Sequence, residues 1–115
     1  MIRHVVMFKF LPEADGRTKR ENVAMTAERL RALPAVIPEI LASEVQIGAP
    51  EAAEHNCDLL LISDFESFDT LATYLKHPAH VAIGNFMRPL RESRAAVDFY
   101  LLLWGGGRAC GSAPF

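Results

Sequence analysis

The chain has little of what marks several common classes of protein. Its two cysteines, Cys57 and Cys110, are too few and too far apart to form a disulfide framework. No apolar run approaches the roughly 20 residues that a membrane-spanning helix needs, so no membrane partner is expected. No block of basic residues occurs, and 12 Lys and Arg against 14 Asp and Glu give a net charge of −2. Nucleic acid is therefore not an expected partner either.

Motifs for cofactors and metals are also missing. No glycine-rich loop joins a strand to a helix, as a phosphate or dinucleotide site would require, and Gly105-Gly106-Gly107 opens no predicted helix. A proline separates His77 from His80, and neither has a cysteine or carboxylate nearby at a ligand spacing. The sequence therefore predicts no metal and no cofactor.

The first ten residues do not have the pattern of a signal peptide. Arg3, His4 and Lys9 interrupt the apolar residues, and no small-residue cleavage site follows. Together with the two isolated cysteines, this start favours a cytoplasmic protein.

Apolar residues, by contrast, are plentiful. A length of 115 residues suits one domain, and 50% of the residues are hydrophobic, slightly more than a lone domain of this size needs. The excess indicates apolar surface that a partner chain or a ligand covers. We expect one domain over residues 1–103, followed by a flexible glycine-rich tail over residues 104–115.

The first part of the chain predicts a strand and a helix. Residues 2–10 alternate as a strand, and the face that carries His4 is otherwise wholly apolar, so this imidazole is expected to point into an interior. Thr18 and Glu21 have the spacing of a capping box, which satisfies free N–H groups at the start of a helix. Pro34 ends that helix because it disfavours helical geometry at the residue before it.

The second part predicts two strands, a broken helix and a last strand. Residues 40–48 alternate as a strand with one wet face, and residues 59–62 are apolar on both faces, as in a central strand. Ser67 caps a helix, a further helix covers residues 79–92, and a strand covers residues 95–103. The inward stripe of the helix after Ser67 is predicted as Phe68, Leu71, Ala72 and Leu75.

This order of elements is the split βαβ arrangement of a ferredoxin-like fold, an α+β fold with helices on one face of a four-stranded antiparallel sheet. The helices cannot cover both faces of that sheet. A second copy of the sheet would cover the other apolar face, so a homodimer is expected.

Side chains suited to chemistry lie together around the break between the last two helices. Tyr74 borders the buried stripe, His77-Pro78 ends the first of the two helices, and His80 shares a face with other inward residues. A neutral imidazole in an apolar pocket can act as a general base, and a phenol beside it can donate a hydrogen bond to a carbonyl or enolate oxygen. These residue types suit proton abstraction next to a carbonyl.

Structural interpretations of the same residues stay open. On these, His77 caps the preceding helix by bonding a free carbonyl, and His80 is a buried histidine satisfied by a backbone partner. Tyr74 is then a tyrosine at the edge of the core, and the ring N–H of His4 finds a carbonyl across the sheet. On the functional interpretation, His4 and His80 converge on one cavity.

Several motifs, taken together in order, resemble a known family. The first strand has the form His-x-Val-x-Phe-Lys-Phe from His4, Leu33-Pro34 ends the first helix, and Gly48 closes the second strand. Phe65-Glu66-Ser67-Phe68 leads into the next helix, and Tyr-x-x-His-Pro-x-His runs from Tyr74 to His80. This set resembles the stress-responsive α/β-barrel family, also called dimeric α/β-barrel or Dabb proteins.

The resemblance covers about residues 2–102. It implies a ferredoxin-like protomer whose sheet packs against a second sheet in a barrel-like homodimer. Most members of the family have no assigned biochemistry, and plant members are linked to stress. A characterised plant member closes a linear polyketide by aldol condensation with a His and a Tyr, which match His80 and Tyr74. The first-strand His of the family, which lines the same cavity, matches His4.

Three functions are compatible with the sequence. In the first, a homodimer binds a small apolar or carbonyl-containing ligand near His80 without catalysis. In the second, a polyketide cyclase-like or lyase-like enzyme uses His80 as general base and Tyr74 as oxyanion donor. The third, a cofactor-free oxygenase, rests on fold analogy alone. The ligand-binding residues expected around the pair are His4, His77, Ile83 and Met87.

The first two functions differ in the geometry that they require. Catalysis needs the His80 ring and the Tyr74 hydroxyl to face one cavity, within about 3 Å of a common reacting atom. If either side chain is packed away or saturated by backbone partners, the enzyme hypothesis fails.

Overall fold

The computed structural model describes residues 1–101, in which the main elements follow one another in the predicted order. The strands are β1 (Ile2–Phe10), β2 (Glu13–Ala14), β3 (Arg17–Thr18), β4 (Ala42–Ile47), β5 (Leu59–Phe65) and β6 (Arg91–Tyr100). The helices are α1 (Lys19–Ala32), α2 (Phe68–Lys76) and α3 (Pro78–Met87), and a 3-10 turn (Leu33–Ala35) that contains Pro34 follows α1.

The four long strands form one antiparallel sheet in the order β4-β5-β1-β6. Strand β1 lies in the interior of the sheet, with Val6 opposite Leu61 of β5 on one side and Ala96 of β6 on the other. Helices pack on one face of this sheet. The predicted α+β, ferredoxin-like fold is therefore confirmed.

The core fills the space between that face and the helices. Alternate residues of β1 from Ile2 to Phe10 are buried, as the period of two predicts. On α1, the residues at helical spacing that face them are also buried, among them Val23, Ala27 and Leu30. The predicted capping box at the start of α1 is present, with the Thr18 hydroxyl accepting the Glu21 N–H and the Glu21 carboxylate accepting the Thr18 N–H.

A short hairpin that periodicity did not predict precedes α1. Strands β2 and β3 are joined by Asp15-Gly16, and both residues have positive φ angles, 53° and 76°. Asp-Gly is the pair that a tight hairpin turn with two left-handed residues favours, because glycine pays no steric penalty there. Asn22 of α1 ties the hairpin down by donating to the Ala14 carbonyl (3.0 Å) and accepting from the Arg17 guanidinium (2.7 Å).

The boundary between α3 and β6 differs from the prediction. The helix ends at Met87 rather than at residue 92, and the strand begins at Arg91 rather than at residue 95. Pro89 cannot continue the helix, since it has no N–H to donate. The strand starts early because β1 is long enough to pair with it up to Phe10, which lies opposite Arg91 after an irregularity in register.

The predicted inward stripe of α2 is wrong at three of its four positions. Leu71 is buried, but Phe68 (45% exposed), Ala72 and Leu75 face outward. Tyr74, three residues after Leu71, faces the core with it and is only 1% exposed. A helix of nine residues offers the core a narrow face, and here the tyrosine ring fills it.

The face of the sheet away from the helices has no covering element among residues 1–101. The register places an apolar set there, namely Val5, Met7, Leu60, Ile62, Val97 and Phe99, which we call the open face. Met7 is 42% exposed and Val97 is 55% exposed. Contiguous apolar surface of this kind marks an interaction site.

None of the helices in the described range is long and apolar enough to cross a lipid bilayer. The predicted tail, residues 104–115, lies outside the described residues, and the domain boundary at residue 103 stays a prediction.

Candidate functional site

A cavity of about 260 Å³ lies between the sheet and the helices, with α3 along one side. Ligand pockets are usually about 300–1,000 Å³, so this cavity suits a small molecule. Its apolar wall consists of Val6, Phe8, Leu30, Leu61, Ile83 and Met87. Its polar groups are His4, Tyr74, His80, Arg88, Arg91 and Arg94.

The break between α2 and α3 brings Tyr74 and His80 together. Tyr74 lies in the last turn of α2 and His80 in the first turn of α3, and their ring centroids are 4.5 Å apart. His77 between them has an extended backbone (ψ 135°), which turns the chain sharply from one helix into the next. Pro78 then starts α3, where its missing N–H costs nothing.

His77 serves the local structure rather than the cavity wall. Its ring Nδ1 accepts a hydrogen bond from the Ala79 N–H (3.0 Å), so the side chain caps the start of α3. The predicted cap on the preceding helix is wrong, because the ring nitrogen accepts from an N–H of α3 and does not donate to a carbonyl of α2. Its own backbone N–H donates to the Tyr74 carbonyl (3.1 Å). The structure does not bring His77 into the cavity lining.

His80 is held by one backbone hydrogen bond. Its Nδ1 donates to the Leu75 carbonyl (3.1 Å), which assigns the proton to Nδ1 and leaves Nε2 with a lone pair. Burial lowers the pKa of His80 below its usual 6.5, and nearby His4 and Arg94 lower it further, while the bond to Leu75 opposes the shift. At neutral pH the ring is therefore uncharged and can accept a proton.

Tyr74 presents a hydroxyl that has no hydrogen-bond partner within residues 1–101. Burial raises the pKa of Tyr74 to about 12, and Arg94 acts in the opposite direction. The hydroxyl therefore keeps its proton at neutral pH and is a donor. Every inaccessible side-chain nitrogen or oxygen in the described range has a partner. Within residues 1–101 the Tyr74 hydroxyl and the His80 Nε2 have no partner, and both side chains line the cavity.

His4 forms the floor of the cavity and pairs with an acid. Its Nδ1 donates to the carboxylate of Asp98, which lies directly opposite on β6, rather than to the predicted backbone carbonyl. Asp98 is the partner because residues directly opposite each other on neighbouring strands point to the same side of the sheet. The His4 ring meets the Tyr74 ring edge to face, with centroids 6.2 Å apart. The carboxylate fixes which ring nitrogen carries the proton.

Five of the six predicted site residues therefore line one cavity. They are His4, Tyr74, His80, Ile83 and Met87. Their catalytic and binding roles stay predictions, and so does that of His77.

Four charged residues at this site were not predicted from the sequence. They are Arg88, Arg91, Arg94 and Asp98. Arg94 and Asp98 share a strand face because they are four residues apart on β6. That spacing was visible in the sequence, but the predicted strand began at residue 95, and nothing in the sequence showed which residues of β1 lie opposite.

Potential metal ligands do not cluster in the described part of the chain. No three His, Cys, Asp or Glu side chains of residues 1–101 come together in a group that could hold an ion. The polar groups that line the cavity are imidazole, phenol and guanidinium groups.

The sequence profile of the Stress responsive A/B Barrel Domain (Dabb) family matches residues 2–101, nearly the whole of the chain. The chain belongs to this family. Within this Dabb domain, the first-strand histidine and the Tyr-to-His element carry the cavity groups described above.

Two solved structures and one characterised protein are similar to this Dabb domain. Olivetolic acid cyclase from Cannabis sativa is 26% identical over 99 residues, covering 85% of this chain and 94% of that protein. A dimeric protein of unknown function with a ferredoxin-like fold from Bacteroides fragilis is 32% identical, with a TM-score of 0.75 over 85% of this chain and 93% of the other. A dimeric ferredoxin-like protein from Thermobifida fusca is 31% identical, with a TM-score of 0.72 over 85% and 88% of the two chains.

Proposed function

We propose that this Dabb protein is a homodimer that binds a small carbonyl compound beside His80 and removes a proton from the carbon next to the carbonyl. The observation that carries the proposal is that the His80 ring, whose Nδ1 bonds to the Leu75 carbonyl, lines the same cavity as Tyr74, with the two ring centroids 4.5 Å apart. This places the protein in the class of cyclase-like or lyase-like enzymes. The relative named olivetolic acid cyclase, although only 26% identical, supports the same class.

The proton transfer follows from the two groups. The Nε2 lone pair of His80 takes a proton from the carbon beside the carbonyl, and the C–H electron pair becomes the C=C bond of an enolate. The negative charge moves to the carbonyl oxygen, where the Tyr74 hydroxyl donates a hydrogen bond to it. The enolate then attacks a second carbonyl, expels a leaving group or takes the proton back from His80.

The surroundings of the pair support this chemistry. The bond from His80 Nδ1 to the Leu75 carbonyl fixes the ring and keeps the basic nitrogen on the other side. The bond from His4 to Asp98 holds the His4 ring against Tyr74. An apolar wall limits water around the reacting atoms, which strengthens the hydrogen bond to a developing oxyanion.

Hydrogen–deuterium exchange tests the proposal directly. The protein is incubated with 2-hexanone, a small neutral ketone, in D2O at pH 7, and NMR follows loss of the protons beside the carbonyl. The wild-type protein should accelerate this exchange. His80→Gln should reduce the acceleration by about a hundredfold or more, since a positioned general base contributes about 10²–10⁴. The glutamine side chain can still donate to Leu75.

Tyr74→Phe and His55→Gln complete the test. Loss of one oxyanion donor costs about 10²–10³ in rate, so Tyr74→Phe should slow exchange roughly a hundredfold. Its stability should not fall, because the lost hydroxyl has no protein partner within residues 1–101. His55 lies in an exposed loop, and His55→Gln should exchange like the wild type. Equal rates in all four proteins would contradict the proposed chemistry.

A second candidate is a protein that binds the ligand without transforming it. The hydrogen bond between His80 and the Leu75 carbonyl favours this alternative, because it gives the histidine a structural role of its own. Binding of 2-hexanone in the cavity without any exchange above the His80→Gln level would support it. If neither 2-hexanone nor the anion hexanoate binds, both candidates are overturned.

The homodimer part of the proposal rests on the open face of the sheet. The apolar residues of this face have no cover within residues 1–101, and two similar structures are named as dimeric proteins. A second copy placed face to face would bury the set on both chains at once.

A further inference from the structure

Three arginines line the cavity. Arg88 follows the last turn of α3, and Arg91 and Arg94 lie at the start of β6. Their side chains all line the same space, although they come from two different elements. Apolar residues line the same space, so the cavity offers both apolar and cationic groups to a ligand.

The three guanidinium groups form few polar contacts with the rest of residues 1–101. No carboxylate of residues 1–101 lies within 4.0 Å of any of the three guanidinium groups. Arg88 has one hydrogen bond, to Asn85 (3.2 Å). Asp98, on the same strand face as Arg94, is already bonded to His4.

Two other arginines of the chain, by contrast, form hydrogen bonds within the fold. Arg3 forms a bidentate ion pair with Asp64 (2.8 and 3.0 Å). Arg31 donates to the Val45 carbonyl (3.0 Å). No ion pair within residues 1–101 involves the three cavity arginines, so their guanidinium groups are available to an anion.

Arg94 also lies close to the proposed reacting groups. Its positive charge lowers the pKa of both His80 and Tyr74, which locates the guanidinium within electrostatic reach of both side chains. It lies opposite Phe8, four residue pairs from His4 along the ladder and on the same face of the sheet, and it lines the same cavity as Tyr74 and His80. An anionic group held at Arg94 would leave the rest of a short ligand beside Tyr74 and His80.

We propose that the ligand of this cavity is a small organic anion, whose charged end binds Arg91 and Arg94 and whose carbonyl lies at Tyr74 and His80. This deepens the proposed function and rests on it. The guanidinium fork matches the geometry of a carboxylate or a phosphate, and a pair of such hydrogen bonds sets both position and orientation. A cavity of about 260 Å³ with one apolar wall fits a short oxo acid or a comparably small phosphate monoester.

Ligands of similar size but different charge show whether charge or shape governs binding. Hexanoate and hexanamide have nearly the same size and differ in charge, and pentyl phosphate supplies the other anion. Binding of each to the full chain is followed by NMR shifts of the cavity residues at fixed ionic strength. Hexanoate or pentyl phosphate should bind at least about tenfold more tightly than hexanamide, as charge-assisted hydrogen bonds require. The tighter of the two anions identifies the headgroup.

Variants show whether the arginines cause the preference. Arg94→Gln and Arg91→Gln should each weaken binding of the preferred anion about tenfold and change hexanamide binding less than about twofold. Arg20→Gln removes the same charge from an exposed position on α1, so its binding should equal that of the wild type. Raising the salt concentration should weaken only the anions.

The outcomes distinguish this inference from the function on which it rests. If hexanamide and 2-hexanone bind in the cavity as tightly as the anions do, the inference is overturned and the proposed function stands. If Arg20→Gln weakens the anion as much as Arg94→Gln does, binding reflects net charge and the inference is also overturned. If none of these ligands binds, both fail.

Discussion

At the scale of single residues, the same physical effect, burial, acts in opposite directions on the two central groups of the cavity. Removing water disfavours the charged form, which is imidazolium for His80 and phenolate for Tyr74. The pKa of the histidine is therefore lowered, and that of the tyrosine is raised to about 12. One group becomes a base that is unprotonated at pH 7, and the other stays a donor.

The titration of His80 checks this account. Its ring protons, followed by NMR, should titrate with a pKa below 6.5. Because the folded state then binds fewer protons than the unfolded state just below pH 6.5, the free energy of unfolding should decrease as the pH falls from 6.5 through the folded pKa. The ketone exchange rate should fall over the same interval. His80→Gln assigns the resonance, and a pKa at or above 6.5 would contradict the account.

At the scale of elements, the turn between α2 and α3 sets the geometry of the site. Two short helices meet at His77, and each keeps its own cap: Ser67 and Thr70 form a capping box at α2, and the His77 ring caps α3. A single continuous helix would place Tyr74 and His80 six residues apart on different faces, since neighbours on a helix are three or four residues apart. The break allows their rings to meet.

Replacing the cap should weaken α3 measurably. His77→Ala leaves the Ala79 N–H without its acceptor and should lower the free energy of unfolding by about 0.5–2 kcal/mol, as measured by urea denaturation. His77→Asn keeps a side-chain acceptor at this position and should recover most of the loss. Equal stability of the alanine variant and the wild type would show that the cap contributes nothing.

At the scale of the whole molecule, the sheet has one face covered by helices and one open face. A parallel sheet covered on both sides would not need a partner, but an antiparallel sheet can leave one face to water or to another chain. Here that face has a polar rim, which includes the Arg3–Asp64 ion pair, around apolar residues such as Val5 and Val97. An interface with an apolar centre and a polar rim has this composition.

A charge at the centre of the open face should separate the proposed dimer. The wild-type chain should have twice its 12.7 kDa mass in light scattering at micromolar concentration, and Val97→Asp should have the single mass. The aspartate would be buried without a partner in the dimer but exposed in the protomer, so the fold should survive. Val81→Asp places the same charge on the exposed side of α3 and should remain dimeric. A monomeric wild-type chain would overturn the homodimer.

Much of the fold was predictable because its rules act over a few residues. The period of two in β1, the capping box of α1 and the break at His77-Pro78 depend only on near neighbours in the chain, and all three are present in the structure. The pairing of Tyr74 with His80 was predictable for the same reason, since both flank one turn. The inward stripe of α2 was not, because a short helix can dock in more than one rotation and the shape of the core decides which.

Local patterns in the chain specify the four long strands, the three main helices, their order, and the imidazole and phenol groups at the helix break. The hydrogen bond between His4 and Asp98, 94 residues apart in the chain, and the meeting of Arg94 with Tyr74 and His80 at the cavity arise only in the folded chain. Both depend on the register of β6 against β1, which no local pattern specifies. Register is set by how the whole sheet packs against its helices, so the partners of these charged groups exist only once the chain has folded.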